Sequence, residues 1–329
     1  MRIVGARESR VADNIQATAS APASIGNVGV GFDVLGLAFD AARDRVKAVQ
    51  EAAPGVRLGA VSGLLSSLPD TPETNTALAA AKALLDATDA GFGVRLSIEK
   101  GVPLSAGMGG SAASAVAAVA AVNALLPEPL ALEALLPYAM EGERVSSDPP
   151  PWDNVVGALF GGLVLVASEE KGRVQRLPVP RGVVSILFHP PVRTETKAAR
   201  QLLKAEVPMR VAVEHSRRLA AFVAGCATGD VALIRDGLED LLVEPQRAPL
   251  LPALAPVKAA ALAANALGCS FSGSGPSVFA WALERDADAV AGAMDAAFKA
   301  AGLTATQYRA PVDSPGVRVE GNADRLRAA

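Results

Sequence analysis

The chain has 329 residues, half of them apolar and only 4 % aromatic, with a formal net charge of −3. This length holds two domains around a sizeable core. The near-balanced charge, with no basic stripe, excludes nucleic acid as a partner, because a phosphate backbone demands clustered Lys and Arg.

The first twenty residues are polar and mixed in charge, without the continuous apolar core of a signal peptide. Residues 1–15 read as a loosely attached start. From Ala17 the chain becomes small, polar and Gly-rich as far as Gly29-Val30-Gly31-Phe32-Asp33. Val46–Val49 and Val56–Val61 are short strand-like runs with turn residues between them. Thr74–Asp86 predicts a helix opened by Thr or Asn, and Val94–Glu99 alternates as a half-buried strand. A Gly-rich segment follows, then an apolar helix through Leu126. A second helix is expected over Leu130–Val145, carrying Glu133, Glu141 and Glu143, and Ser146–Pro151 breaks it. Gly161–Ala167 and Val183–Phe188 predict buried strands. Helices over Arg210–Gly225, Val231–Leu242 and Val257–Leu267 come next, then a strand over Ser277–Leu283 and a helix over Ala287–Ala301. Strands and helices interleave without a regular βα period, which predicts an α+β protein of two domains. The longest apolar stretch, Ser114–Leu126, contains Asn123 and is too short to span a bilayer. Cys226 and Cys269 read as buried thiols of a reducing cytosol, neither a disulfide nor a metal site. A cytoplasmic protein without a membrane partner is expected.

The strongest local signal is Pro103-Leu104-Ser105-Ala106-Gly107-Met108-Gly109-Gly110-Ser111-Ala112-Ala113-Ser114. A strand ends just before it and Ser111 opens a long helix. Glycines admit an anion close to the backbone, and a helix start offers free N–H donors. No Lys follows the glycines, so the usual P-loop is excluded. Gly107-x-Gly109-x-x-Ala112 satisfies the dinucleotide pattern, but a helix stands where that pattern needs a second strand and its acid. Taken alone, the segment is either a phosphate cradle or a turn that merely caps a helix.

Three ordered segments together carry a resemblance. PLSAGMGGSAAS is similar to the phosphate-loop motif of the GHMP small-molecule kinases. APASIGNVGVGFDVLGLAF resembles the first motif of the homoserine-kinase branch, and SFSGSGPSVFAW the C-terminal Gly-rich loop of the family. WDNVVGALFGG, TETKAARQLL and VEPQR also agree, so the likeness spans roughly residues 17–285. It implies a two-domain α+β fold, with an N-terminal nucleotide-binding domain over residues 1–168 and a C-terminal ferredoxin-like α/β sandwich over residues 169–329. The implied reaction is phosphorylation of the hydroxyl of L-homoserine, with ATP as co-substrate and Mg2+ as cofactor. The implied partner is a small amino acid, and a homodimer is compatible with the family.

The resemblance also assigns roles. Ser111 and Glu143 hold Mg2+, a hard cation that prefers oxygen. Asn75 and Lys100 lie near the adenine. Asn27 and Asp33 meet the amino acid, where a carboxylate suits an ammonium; the alternative for Asp33 is a turn cap. Asn154, Thr196 and Arg200 form the catalytic set. Arg200 and Arg247 recognise a carboxylate, a task suited to a planar, always-charged guanidinium. Gly273 and Gly275 shape a turn beside the substrate; the alternative is a plain hairpin or strand-entry turn. His189 and His215 match no motif.

Two departures stand out. Gly110 replaces a usual Ser, leaving Ser111 alone. SSDPPPWDN replaces the usual SG-x-x-HADN, with Pro151 where the branch has His. Three prolines predict an extended path into Asn154. On such a path Asp153 and Asn154 point opposite ways, so Asp153 is not expected to act as a base. A mevalonate- or sugar-type kinase would carry an Asp at the Asn154 position. A catalytically silent nucleotide or metabolite sensor is the remaining alternative, and intact Ser111 and Glu143 argue against it.

Overall fold

The computed structural model describes residues 15–194 and 196–320; of the loose start expected over residues 1–15, all but Ile15 lies outside them, and the Ile15 carbonyl accepts from Gln50 N at 2.9 Å. Eleven strands are described: β1 (Gln16–Gly26), β2 (Leu35–Glu51), β3 (Val56–Gly63), β4 (Gly93–Lys100), β5 (Leu163–Ser168), β6 (Arg173–Leu177), β7 (Val183–His189), β8 (Gly268–Phe271), β9 (Val278–Leu283), β10 (Thr306–Pro311) and β11 (Arg318–Val319). The α-helices are α1 (Thr76–Thr88), α2 (Gly110–Asn123), α3 (Leu136–Glu143), α4 (Trp152–Phe160), α5 (Thr196–Gln201), α6 (Met209–Thr228), α7 (Val231–Gly237), α8 (Glu244–Arg247), α9 (Leu254–Ala263) and α10 (Ala287–Ala300). The protein is α+β with two sheets, as expected. One has seven strands, ordered β11-β1-β2-β4-β3, with β5 pairing β2 and β6 pairing β5. The other has four antiparallel strands, ordered β10-β7-β9-β8.

The Ala-rich composition explains the centre of the first domain. Every residue of α2 from Ala112 to Asn123 is buried. A helix that is apolar all round belongs inside a core, and methyl side chains let α1, β1 and β2 approach it closely. In the second sheet, alternate residues serve different cores. Leu187, Phe279 and Trp281 face the larger core with Phe222 of α6, whereas Ile186, Phe188, Val278 and Ala280 face α9 and α10. This is the period-two alternation of a sheet covered on both sides.

Several elements differ from expectation. β2 is a single strand of 17 residues rather than a short run. Its first residues pair with β5 and its last with β4, so one strand spans the whole sheet. β1 is also a full strand, built from Ala, Ser and Pro residues of low strand propensity that sit where only small side chains fit. The expected helix over Val231–Leu242 ends at Gly237, where the backbone leaves helical geometry at Leu238; a Cβ on Gly237 would lie 2.3 Å from the backbone N of Phe222, so glycine lets α7 pack closely on α6. The largest difference is α4. The proline run does not continue as an extended segment: Pro151 is the N-cap residue, and Trp152 starts a helix. Proline is compatible with a helix start, where its missing N–H leaves no bond unmade.

The expected domain division at 168/169 falls inside the antiparallel β5–β6 hairpin. The last described strand, β11, returns to the first sheet and pairs with β1. Among the described residues, no helix is long and apolar enough to cross a membrane.

Candidate active site

Four chain segments meet at one place: the turn after β1, the Gly-rich loop before α2, the first turn of α4, and the β8–β9 loop. The backbone fastens them together. Ser24 N donates to Met108 O at 3.0 Å, and Gly273 N to Gly26 O at 3.1 Å. Ser272 Oγ donates to Gly107 O at 2.6 Å, and Asn27 Nδ2 to Gly273 O at 2.9 Å. Gly107 has a positive φ, and a Cβ on it would lie 2.5 Å from Ser272 O and 2.6 Å from Gly275 O. Only glycine lets the two loops come so close. Together the segments enclose a cleft of about 440 Å³.

The cleft brings together most of the residues selected from the sequence. Asn27, Asp33, Leu104, Ser105, Ala106, Gly107, Met108, Gly109, Gly110, Ser111, Glu143, Asn154, Arg200 and Arg247 line it. Pro103, Ala112, Ala113, Ser114, Asn75 and Lys100 do not. Thr196 opens α5, but its side chain lies outside the described residues.

At one end of the cleft is the start of α2. Its N-cap residue, Gly109, is left-handed and no side chain caps the helix. The first intrahelical bond runs from Ala113 N to Gly109 O, so the donors ahead of it point free, as an anion site requires. Beside them, Glu143 Oε1 accepts from Ser111 Oγ at 2.7 Å and from Ser146 Oγ at 2.8 Å. Glu143 Oε2 is buried with no hydrogen-bond partner. Burial pushes this carboxyl up to about 7, against the two serine hydrogen bonds, with the Asp153 charge adding to the rise. A buried carboxylate with a free oxygen, next to a hydroxyl and a helix start, is suited to a hard cation that travels with phosphate. Among the described residues no cluster of three or more His, Cys, Asp or Glu competes for that role.

At the other end are charged groups of both signs. Arg200 Nη2 donates to Asp33 Oδ1 at 2.9 Å and to Oδ2 at 3.0 Å, while Arg200 Nε is buried without a partner. Arg247 is buried, donating to Gly273 O at 3.2 Å and to Ala199 O at 3.4 Å. Burial lowers its pKa, and the Arg200 charge lowers it further. Both guanidinium groups lie over the Phe32 ring, at 5.4 and 5.3 Å from its centroid. The aromatic face offsets part of the repulsion between two like charges. Asp33 has a positive φ, and its N–H donates to Asn27 Oδ1 at 3.2 Å. Two cations and one carboxylate on the same wall match a zwitterion of both signs.

Between the two ends lies the first turn of α4. Asp153 and Asn154 do not point opposite ways, because they are neighbours on a helix and both line the cleft. Asp153 Oδ2 accepts from Asn27 N at 2.8 Å, and its Oδ1 from Asn154 N at 2.8 Å and Asn154 Nδ2 at 3.1 Å. Burial raises the Asp153 carboxyl to about 6, aided by the Asp33 charge and opposed by its backbone hydrogen bonds. Asn154 Oδ1 accepts from Ser24 Oγ at 3.0 Å. Gly36 of β2 permits this docking, since a Cβ there would lie 1.8 Å from Asp153 O.

The remaining candidates sit elsewhere. Asn75 caps α1, accepting from Ala77 N and Leu78 N and donating to Pro69 O. Lys100 and Ser114 are buried beneath the Gly-rich loop, bonded to Asp44. His189 meets Ser277 Oγ, and His215 Nδ1 accepts from Leu241 N; neither lines the cleft. Sequence reasoning passes over Phe32, Ser146 and Lys197 and sets Asp153 aside as a base; all four line the cleft. Adjacency to Asp33 was the available signal for Phe32.

Comparison with known proteins places this geometry. Residues 75–162 match the model of the GHMP kinases N terminal domain, and residues 220–300 that of the GHMP kinases C terminal domain. A homoserine kinase of Xylella fastidiosa (strain 9a5c) is 46 % identical over 305 residues, covering 92 % of this chain and 94 % of that one. A homoserine kinase of Chloroherpeton thalassium is 38 % identical, covering 92 % of this chain and 99 % of its own. The crystal structure of a homoserine kinase from Cytophaga hutchinsonii superposes with a TM-score of 0.89 at 37 % identity, covering 96 % of this chain and 100 % of that one. L. major mevalonate kinase, at 16 % identity and a TM-score of 0.68 over 92 % of this chain and 98 % of that one, shares the fold.

Proposed function

This chain belongs to the GHMP kinase family, and we propose that it transfers the γ-phosphoryl group of ATP to the side-chain hydroxyl of L-homoserine. The carrying observation is one cleft with two unlike ends. An uncapped helix start beside the Ser111–Glu143 pair faces a wall bearing Arg200, Arg247 and Asp33. The N–H groups of α2 bind phosphate oxygens. Ser111 Oγ and the free Glu143 Oε2 are the groups that would hold Mg2+. When bound, Mg2+ neutralises charge on the phosphates, which phosphoryl transfer requires more than covalent help.

The substrate reading follows from the opposite wall. Arg247 and the unpartnered Nε of Arg200 take the α-carboxylate, and Asp33 the ammonium. Asn154 orients the hydroxyl. Asp153 already accepts three N–H donors, so it positions Asn27 and Asn154, and the hydroxyl proton leaves to phosphate or water. Asn154 is an amide, where a mevalonate- or sugar-type kinase would place a carboxylate base. We place the domain division after Leu177, with β11 returning to the first domain, and the enzyme in the cytoplasm.

A coupled assay of ADP release tests the reading. With Mg2+ and ATP, L-homoserine should accelerate release far above the rate without acceptor. Absence of any homoserine-dependent release, with nucleotide still bound, would leave the sensor alternative.

A further inference from the structure

Beneath the phosphate loop lies a charged cluster outside the cleft. Lys100, the last residue of β4, is 3 % exposed, and Asp44 of β2 is fully buried. Lys100 Nζ is ion-paired with Asp44 Oδ2, and also donates to Gly110 O and Ser114 Oγ, both at 2.9 Å. Ser114 Oγ donates to Asp44 Oδ2 at 2.6 Å, and Asp44 Oδ1 accepts from Gly101 N and Val102 N, both at 3.0 Å. All three ammonium donors are used, and both carboxylate oxygens. The cluster therefore ties together β2, the end of β4, both flanks of the Gly-rich loop and the first turn of α2.

Stability alone does not account for it. A buried ion pair loses hydration, and an apolar pair of similar volume is often as stable or more so. What an apolar pair lacks is a bond to Gly110 O. That carbonyl belongs to the first residue of α2, whose N-cap Gly109 offers no side-chain cap. Lys100 holds the Gly110 carbonyl from below, as Thr76 Oγ1 holds the next carbonyl, that of Ser111, at 3.2 Å. A Cβ on Gly109 would lie 2.0 Å from Ser24 Oγ, so the loop has little room to move if it is to keep its place.

We propose that Asp44 and Lys100 are positioning residues for nucleotide binding, holding Gly110 so that the free N–H groups of α2 face the phosphates. The proposal rests on the reading of α2 as the phosphate site. Lys100 is then not an adenine contact. Its effect is transmitted through the Gly110 carbonyl.

The test compares wild type with the double variant Asp44→Leu/Lys100→Met, which removes both charges together. Binding of Mg2+-AMP-PNP is measured by calorimetry and unfolding by thermal melting. The expected result is a melting temperature within a few degrees of wild type and nucleotide affinity reduced by about 10-fold or more, the weight of a lost charged hydrogen bond. Unchanged affinity in a folded double variant would overturn the proposal. Failure of wild type itself to bind AMP-PNP would instead overturn the assignment of the phosphate site. Should the double variant not fold, Lys100→Arg supplies the second arm, since it keeps a cation paired with Asp44 but changes the length and geometry of the donors that hold Gly110 O. There KM for ATP should rise several-fold, with KM for homoserine unchanged and kcat within about twofold. A parallel rise in both KM values, or in neither, would show a purely structural pair.

Discussion

Replacing Glu143 with glutamine should stabilise the ligand-free protein at pH 8 while removing its activity. Burial lifts this carboxyl from 4.5 to about 7, which corresponds to on the order of 3 kcal/mol against the charged form. A carboxyl raised on folding costs nothing while it is protonated in both states, below about 4.5. Its cost grows as pH rises and is complete above about 7. Glutamine keeps an acceptor for Ser111 and Ser146 but places an amide donor where Oε2 has no partner. That donor costs about 1 kcal/mol. The net gain at pH 8 is then about 2 kcal/mol, an increase of a few degrees in melting temperature for a protein of this size. At pH 5 the gain should vanish or change sign. Asp153 titrates in both proteins, and because its charge adds to the rise of Glu143, the difference between them reports Glu143 together with that coupling. Adding Mg2+-AMP-PNP should raise the melting temperature of wild type at pH 8 much more than that of Glu143→Gln. Equal wild-type and variant melting curves at both pH values would refute the assignment of a costly, metal-ready carboxylate.

Other perturbations have distinct readouts. Arg247→Lys loses the planar fork at a buried site and should raise KM for homoserine by about 10- to 100-fold, with a smaller change in KM for ATP; steady-state kinetics in both substrates checks this. Gly107→Ala forces a Cβ toward Ser272 O and Gly275 O at a positive φ, so chemical denaturation should show a loss on the order of 3 kcal/mol. Asp153→Asn should retain substantial kcat, because the carboxylate oxygens already accept from Asn27 and Asn154; a fall of several orders of magnitude with the fold intact would make Asp153 the base. Pro151→His restores a side chain that can hydrogen-bond at the cleft wall, and KM for homoserine should fall or stay level, with little change in kcat.

The parts legible in the sequence are those whose physics is local. Gly107 and Gly109 signal a loop that needs positive φ, and they have it. The even burial of α2 is written in its unbroken Ala and Val. Ser111 and Glu143 share a hydrogen bond because α3 packs against α2; the sequence pairs them through motif resemblance and not through local physics. The elements that escaped depend on contacts distant in sequence. β1 has the composition of a loop and becomes a strand because β2 pairs along its whole length. The proline run suggests extended chain, yet it ends at a helix N-cap docked on Gly36. Lys100 combines a legible feature with a hidden one. Its spacing from the loop is visible in the sequence, but its burial against Asp44 is not.

The central claim is the identity of the phosphoryl acceptor. L-Homoserine, mevalonate and galactose can be offered together at equal concentration with limiting Mg2+-ATP, and the products separated by mass spectrometry. O-phosphohomoserine should account for nearly all the transferred phosphate. Phosphorylated mevalonate or galactose in equal or greater amount would contradict the account of the Arg200, Arg247 and Asp33 wall as an amino-acid site.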